Sequence, residues 1–264
     1  MADSHRTSVS VRQQAMVQFV IAEGQLSIAE LAERLNVSQM TAYRDADRLA
    51  ELRIVHRVRG GITAQPSSIF ESSMEYRSHV FRGEKKALSD ACLQMVEPGM
   101  SLIVDDGTTL LPLIERLHER TPLTVITTFL PAVTELSQVR DINLVVIGGS
   151  YRRHYDSIGG LLAADMISQL RADLLFLCPS AISDGVALHQ EEDMVATKRA
   201  MMSSSARRVL VADHSKLGRR ATHRLAPVDD FELVITDVGA NAEGLAHILD
   251  RGTPVTVVPV TEAR

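Results

Sequence analysis

The chain has 264 residues, enough for two domains of which one holds a substantial core. Its formal net charge of -5 excludes a polycation, so any affinity for nucleic acid must come from a local patch. No apolar run reaches membrane-spanning length and the N-terminus lacks an apolar signal core, which points to a cytoplasmic protein with no membrane partner.

The first predicted unit covers residues 1–64. An apolar-rich helix runs from Val11 to Ala22 and stops at Gly24. Ser27 caps a second helix whose Ile28, Leu31, Ala32 and Leu35 face inward, and Glu30 completes a capping box. After the turn Asn36-Val37-Ser38, Ser38 caps a third helix. Ala42, Ala46 and Leu49 line its inner face, and Met40, Tyr43, Arg44 and Asp47 point away. Leu52–Val55 and Ile62-Thr63 are expected as short strands around Gly60-Gly61. Three helices and a β-wing make a winged helix-turn-helix.

This arrangement suits DNA. Gln39 and Arg44 have the donors and acceptors to read base edges in a major groove, and Tyr43 can stack or bond a phosphate. Arg48, Arg53, Arg57 and Arg59 can meet the flanking backbone, with Gly60-Gly61 permitting the tight wing turn. Asp45, which would oppose phosphate, is expected to orient an arginine within the domain. The unit resembles the helix-turn-helix of the DeoR family of bacterial transcriptional regulators. The resemblance rests on Ala29-Glu30-Leu31-Ala32, Val37-Ser38, Thr41, Arg44-Asp45, Leu49, Arg57 and Gly60-Gly61. It implies that Ser38, Gln39, Thr41, Tyr43, Arg44, Arg48, Arg57 and Arg59 form the DNA-binding face. Tyr43 stands where the family usually has a first arginine, and Ala46 where leucine is common, so the operator sequence is not transferable.

Gln65-Pro66-Ser67-Ser68 breaks the pattern as a linker, and one long helix is expected from Glu71 to Val96 before Pro98-Gly99; residues 65–99 are the predicted connection. From residue 100 to 264, short apolar runs alternate with helical stretches. Strands are expected at Ser101–Val104, Leu123–Thr127, Leu144–Ile147, Leu174–Leu177, Val209–Ala212, Leu233–Thr236 and Val255–Val258. Such runs predict a mostly parallel sheet covered on both faces, giving an α/β fold class.

In that unit Asp105-Asp106-Gly107-Thr108-Thr109 lies where a strand meets a helix and offers backbone N–H groups and hydroxyls to an anion. Lysine does not follow the glycine, so it is no Walker motif. Thr127-Thr128, Gly148-Gly149, Ser183-Asp184-Gly185 and Asp213-His214-Ser215-Lys216 mark further strand ends on the edge where open α/β sheets bind ligands. Lys198 and Lys216, two of four lysines in the chain, can supply positive charge. His154, His189 and His214 follow no metal-ligand spacing, and Cys92 and Cys178 read as reduced buried thiols, so neither metal nor cofactor is expected.

This half is similar to the DeoR sensor domain, whose fold resembles ribose-5-phosphate isomerase. The resemblance rests on Asp106-Gly107-Thr108-Thr109, Gly148-Gly149, Gly159, Lys198 and Asp213-His214-Ser215-Lys216. It implies a phosphorylated sugar or related effector whose phosphate Gly107, Thr108 and Thr109 cradle, with Thr128 nearby and Lys198 or Lys216 compensating charge; Asp106, Gly149 and Asp184, at the same edge, complete the candidate effector-binding set. Phe129 stands where the family commonly has asparagine, and Cys178-Pro179-Ser180-Ala181 where it has a glycine. The reading is a homo-oligomeric, effector-controlled repressor of carbohydrate-metabolism genes that binds operator DNA. The alternatives are a sugar-phosphate isomerase-like enzyme, which would need a base such as Asp106, Asp184, Glu191 or Glu192, and a protein-binding adaptor.

Overall fold

The computed structural model describes residues 11–51, 54–63, 71 and 74–260, and divides the chain into two units between Val80 and Phe81. The first unit contains α1 (Val11–Glu23), β1 (Gln25–Ser27), α2 (Ile28–Arg34), α3 (Gln39–Glu51), β2 (His56–Val58), β3 (Gly61–Thr63) and α4 (Met74–His79). Ser27 starts α2 as its chemistry requires. Its hydroxyl accepts from the Glu30 N–H at 3.2 Å, and the Glu30 carboxylate accepts from the Ser27 N–H at 2.8 Å. Met16, Val17, Val20, Leu31, Ala42, Ala46, Leu49 and Ile62 close one core. Leu35, expected inside, packs against that core only partly buried.

Asp45 is buried and accepts from Arg12 Nε at 2.5 Å and Gln13 Nε2 at 2.9 Å. The arginine it orients therefore comes from α1, and the bond ties α1 to the third helix. The wing has three strands in the order β1-β3-β2, all antiparallel. β1 was not expected, because three residues are too few to show a period of two. The first wing strand also lies later than the expected Leu52–Val55. Ile54 and Val55 are drawn into the core instead, and the Ile54 N–H donates to the Leu49 carbonyl at 3.0 Å. Leu52, Arg53 and the predicted linker Gln65–Ser68 lie outside the described residues.

The long helix expected over 71–96 is two helices. α4 ends at His79 and α5 (Arg82–Leu93) starts the second unit, with Phe81 between them at a φ of 55°. A left-handed residue cannot continue a right-handed helix. An aromatic residue gives no sequence signal of this break.

The second unit continues with β4 (Ser101–Val104), α6 (Leu111–Arg116), β5 (Leu123–Thr127), α7 (Leu130–Leu136) and β6 (Ile142–Val146). A hairpin of β7 (Ser150–Arg152) and β8 (Ser157–Gly159) precedes α8 (Leu161–Ser168) and β9 (Ala172–Leu177). Then come β10 (Ala181–Ser183), β11 (Val186–His189), α9 (Glu192–Ser203), β12 (Ser205–Val211), β13 (His223–Pro227), β14 (Leu233–Asp237), α10 (Ala242–Leu249) and β15 (Val255–Val258). The seven expected strands form one parallel sheet, β15-β14-β12-β9-β4-β5-β6. Its central strands are apolar and buried on both faces, as parallel packing demands. A smaller antiparallel sheet, β10-β11-β13, lies beside it.

The strand order fixes where a ligand belongs. From β4 the chain runs outward through β5 and β6, then returns to the other side of β4 with β9. The order reverses between β4 and β9, so their C-terminal ends open onto a topological switch point. The loop from Asp105 to Thr109 leaves β4 there, and Cys178 leaves β9.

Candidate functional site

The exposed side of α3 begins at Ser38, whose hydroxyl accepts from the Thr41 N–H at 3.2 Å and lies 2.9 Å from the Thr41 hydroxyl. Gln39, Met40, Tyr43, Arg44, Asp47 and Arg48 follow on the exposed surface. Arg48 pairs with Glu51 at 3.2 Å, an ordinary surface pair worth little. Arg44 and Arg59 are exposed and pair with no carboxylate among the described residues. Gly60 has a φ of 79°, and its carbonyl accepts from the Ile28 N–H at 3.0 Å. A Cβ on Gly61 would stand 2.1 Å from the Leu26 carbonyl oxygen. The two glycines therefore seat the wing turn against β1 and α2, with Arg59 at its tip. Arg57 differs from its neighbours, since it pairs with Asp47 and lies over the Tyr43 ring.

At the switch point the loop after β4 is held by buried polar groups. Lys198, on α9, places its ammonium 2.5 Å from Asp105 Oδ2 and 2.6 Å from Asp106 Oδ1, and donates to the Cys178 carbonyl at 3.3 Å. Asp105 Oδ2 also accepts from the Cys178 N–H at 2.9 Å. Gly107 closes the join, because a Cβ there would lie 2.9 Å from Cys178 Cβ. Lys85 on α5 donates to the Thr108 hydroxyl at 3.1 Å, and Ser89, one turn on, donates to the Thr109 carbonyl at 3.1 Å. The N–H groups of Gly107, Thr108 and Thr109 donate to no protein acceptor among the described residues. Successive N–H groups without a protein acceptor, beside a buried lysine, suit an anion.

The other expected residues sit variously. Thr128 follows β5, next to β4, and its hydroxyl accepts from Ser157 at 3.2 Å. Phe129 is buried. Lys216 lies near enough to Cys178 for its charge to act on that thiol. Gly149 packs its bare Cα side against Ile158 and Ala163. Asp184 is not part of the cluster. It has a φ of 53° at the tip of the β10–β11 hairpin, bonded to Ser183 at 3.0 Å and 4.0 Å from His247. Sequence reasoning missed Lys85 and Ser89. Their spacing of four places them on one helix face, and both are buried there.

The charges explain the loop's chemistry. Two buried carboxylates face one ammonium, so the trio carries an excess negative charge unless it keeps a proton. Burial raises Asp105 to about 7, against the pull of Lys198 and with the push of Asp106. Burial acts likewise on Asp106, but the Lys198 charge and the hydrogen bonds from Asp105 and Lys198 outweigh it and hold Asp106 below the usual range. Lys198 stays protonated: burial opposes its charge, and the two aspartates overcome that. The proton belongs to the pair. A raised folded value means stability that is full below the unfolded value of 3.8 and lost as pH climbs through about 7. Asp105→Asn is expected to flatten that loss, gaining on the native protein by a few kcal/mol between about pH 4 and pH 7. Urea melts across this range measure it, and parallel curves for both proteins would refute it.

A model of the DeoR-like helix-turn-helix domain matches residues 12–68, and one of the DeoR C terminal sensor domain matches residues 81–238. The chain belongs to the DeoR family. This DeoR-family protein is a transcriptional regulator, not an enzyme, with a DNA-binding unit and a sensor unit for a small molecule. It is 36% identical to the glycerol-3-phosphate regulon repressor of Haemophilus influenzae, over 91% of this chain and 93% of that one. It is 32% identical to the glycerol-3-phosphate regulon repressor of Escherichia coli, over 86% and 90%. It is 30% identical to the transcriptional repressor AccR of Agrobacterium fabrum, over 88% and 91%. The crystal structure of ribose 5 phosphate isomerase A from Neisseria gonorrhoeae overlaps 53% of this chain and 54% of its own, at 16% identity and a TM-score of 0.37. No helix among the described residues is long and apolar enough to cross a membrane.

Proposed function

We propose that this DeoR-family regulator is a cytoplasmic, homo-oligomeric repressor of carbohydrate-metabolism genes, and that a phosphorylated sugar or polyol controls it. The observation that carries this reading is the Thr108–Thr109 loop at the switch point, with unpaired N–H groups and the buried Lys85 ammonium bonded to Thr108. The names of the glycerol-3-phosphate regulon repressors support the choice of ligand class. Gly107, Thr108 and Thr109 cradle the phosphate, Lys85 and Lys216 offset its charge, and Thr128 lies at the neighbouring strand end. Lys198 holds the loop in shape, since its charge is committed to Asp105 and Asp106. Gly149 serves packing. Asp184 stands outside the site.

On the DNA side, Gln39 and Arg44 read base edges, while Ser38, Thr41, Arg48 and Arg59 line the path of the backbone. An effector must favour one of the DNA-competent and DNA-incompetent states, or it shifts nothing. Thermal melting with glycerol 3-phosphate and with pentose and hexose phosphates tests the input. One of these at about 100 times its Kd should add about 2.7 kcal/mol of stability, a rise of several degrees. Thr108→Ala and Lys85→Met should each remove most of that rise. A rise that survives both substitutions would place the ligand elsewhere.

A further inference from the structure

Arg57 occupies a different position from the free arginines around it. Its guanidinium carbon lies 4.3 Å from the centre of the Tyr43 ring, and its Nε lies 3.5 Å from Asp47 Oδ1. Tyr43 and Asp47 are four residues apart, so both present to β2 from one face of α3. Arg57 Nη1 is buried without a hydrogen-bond partner among the described residues, whereas Arg44 and Arg59 stand in the open. Asp47 already offsets the Arg57 charge, and the ring covers one face of the guanidinium. The wing is pinned on its other side by the bond from Ile28 to Gly60 at 3.0 Å.

We propose that Tyr43, Asp47 and Arg57 form a brace that fixes the wing to the recognition helix, and that Arg57 serves this brace in place of a phosphate. The second half rests on the DNA-binding reading above; the first half does not. A braced wing and helix dock on DNA as one rigid surface, so the brace acts on specific binding, which needs both at once. Tyr43 thereby gains a role as a positioning residue that needs its ring and not its hydroxyl.

The test uses the full chain. In the free protein, amide hydrogen exchange across residues 56–63 should quicken about tenfold in Tyr43→Ala and in Arg57→Ala, and stay native in Tyr43→Phe. Retention of the DNA upstream of its own gene should fall about tenfold in either alanine variant and no further in the double variant. The slope of log affinity against log salt should be unchanged in Arg57→Ala and shallower by about 0.9 in Arg59→Ala. Native exchange in both alanine variants, or fully additive losses, overturns the brace. A slope change in Arg57→Ala equal to that in Arg59→Ala overturns the claim that Arg57 spares phosphate. Wild-type protein that fails to prefer its upstream DNA over random DNA overturns the DNA reading, and the exchange measurement still decides the brace.

Discussion

Lys198→Met is expected to destabilise the sensor unit by about 3–5 kcal/mol, lowering its melting temperature by roughly 10 °C. The ammonium lies within hydrogen-bond distance of both Asp105 and Asp106, and all three side chains are buried. Removing the cation leaves two carboxylates out of water with no counter-charge, which costs far more than the pair itself contributes. The cost therefore depends on the aspartates. Adding Asp105→Asn and Asp106→Asn to Lys198→Met should recover most of it, because a neutral trio has no charge to strand. Urea melts of the single and triple variants measure this. A single variant that melts like the native protein would show that Lys198 is not the counter-ion of the loop.

Arg44→Ala is expected to lower affinity for the operator about tenfold to a hundredfold, with thermal stability unchanged. Arg44 lies on the exposed side of α3, and no carboxylate among the described residues holds it back. A bidentate arginine contact to guanine in the major groove is worth about 1–3 kcal/mol of discrimination. Binding to random DNA should weaken much less, by one phosphate contact at most. Gel retention of operator and random DNA by both proteins reads the difference. Equal losses on the two DNAs would make Arg44 a backbone contact and move base readout to Gln39.

Local chemistry was legible where it is local. Ser27 and Glu30 announced α2, and the small inner residues Ala42 and Ala46 announced the face of α3 that packs on its support. The central strands of the large sheet stood out as apolar runs, because both of their faces are dry. Features that depend on distant partners were hidden. Lys198 and Asp105 are 93 residues apart, and no local pattern shows that they meet. Lys198 thus looked like a cation for a ligand, and the structure shows it bound to carboxylates.

Lys85 was hidden for a related reason. A lysine on an amphipathic helix normally reads as a solvated charge, and only the folded chain shows that α5 meets the loop after β4. Asp184 carries a second local signal beside its place after a strand. Asp-Gly between two short β-forming runs marks a hairpin turn, and that is where Asp184 and Gly185 lie. The break at Phe81 had no signal, since an aromatic residue rarely takes a left-handed conformation.

Regulation depends on one link, between a phosphorylated ligand at Thr108 and DNA held by α3. Retention of the upstream DNA should be measured with and without the sugar or polyol phosphate that stabilises the protein, for the native chain and for Thr108→Ala. The native chain should change its affinity for DNA at least several-fold when the ligand is added. Thr108→Ala should hold DNA as well as the native chain does and no longer respond. An unchanged native affinity in saturating ligand, or an equal response in Thr108→Ala, would contradict the account.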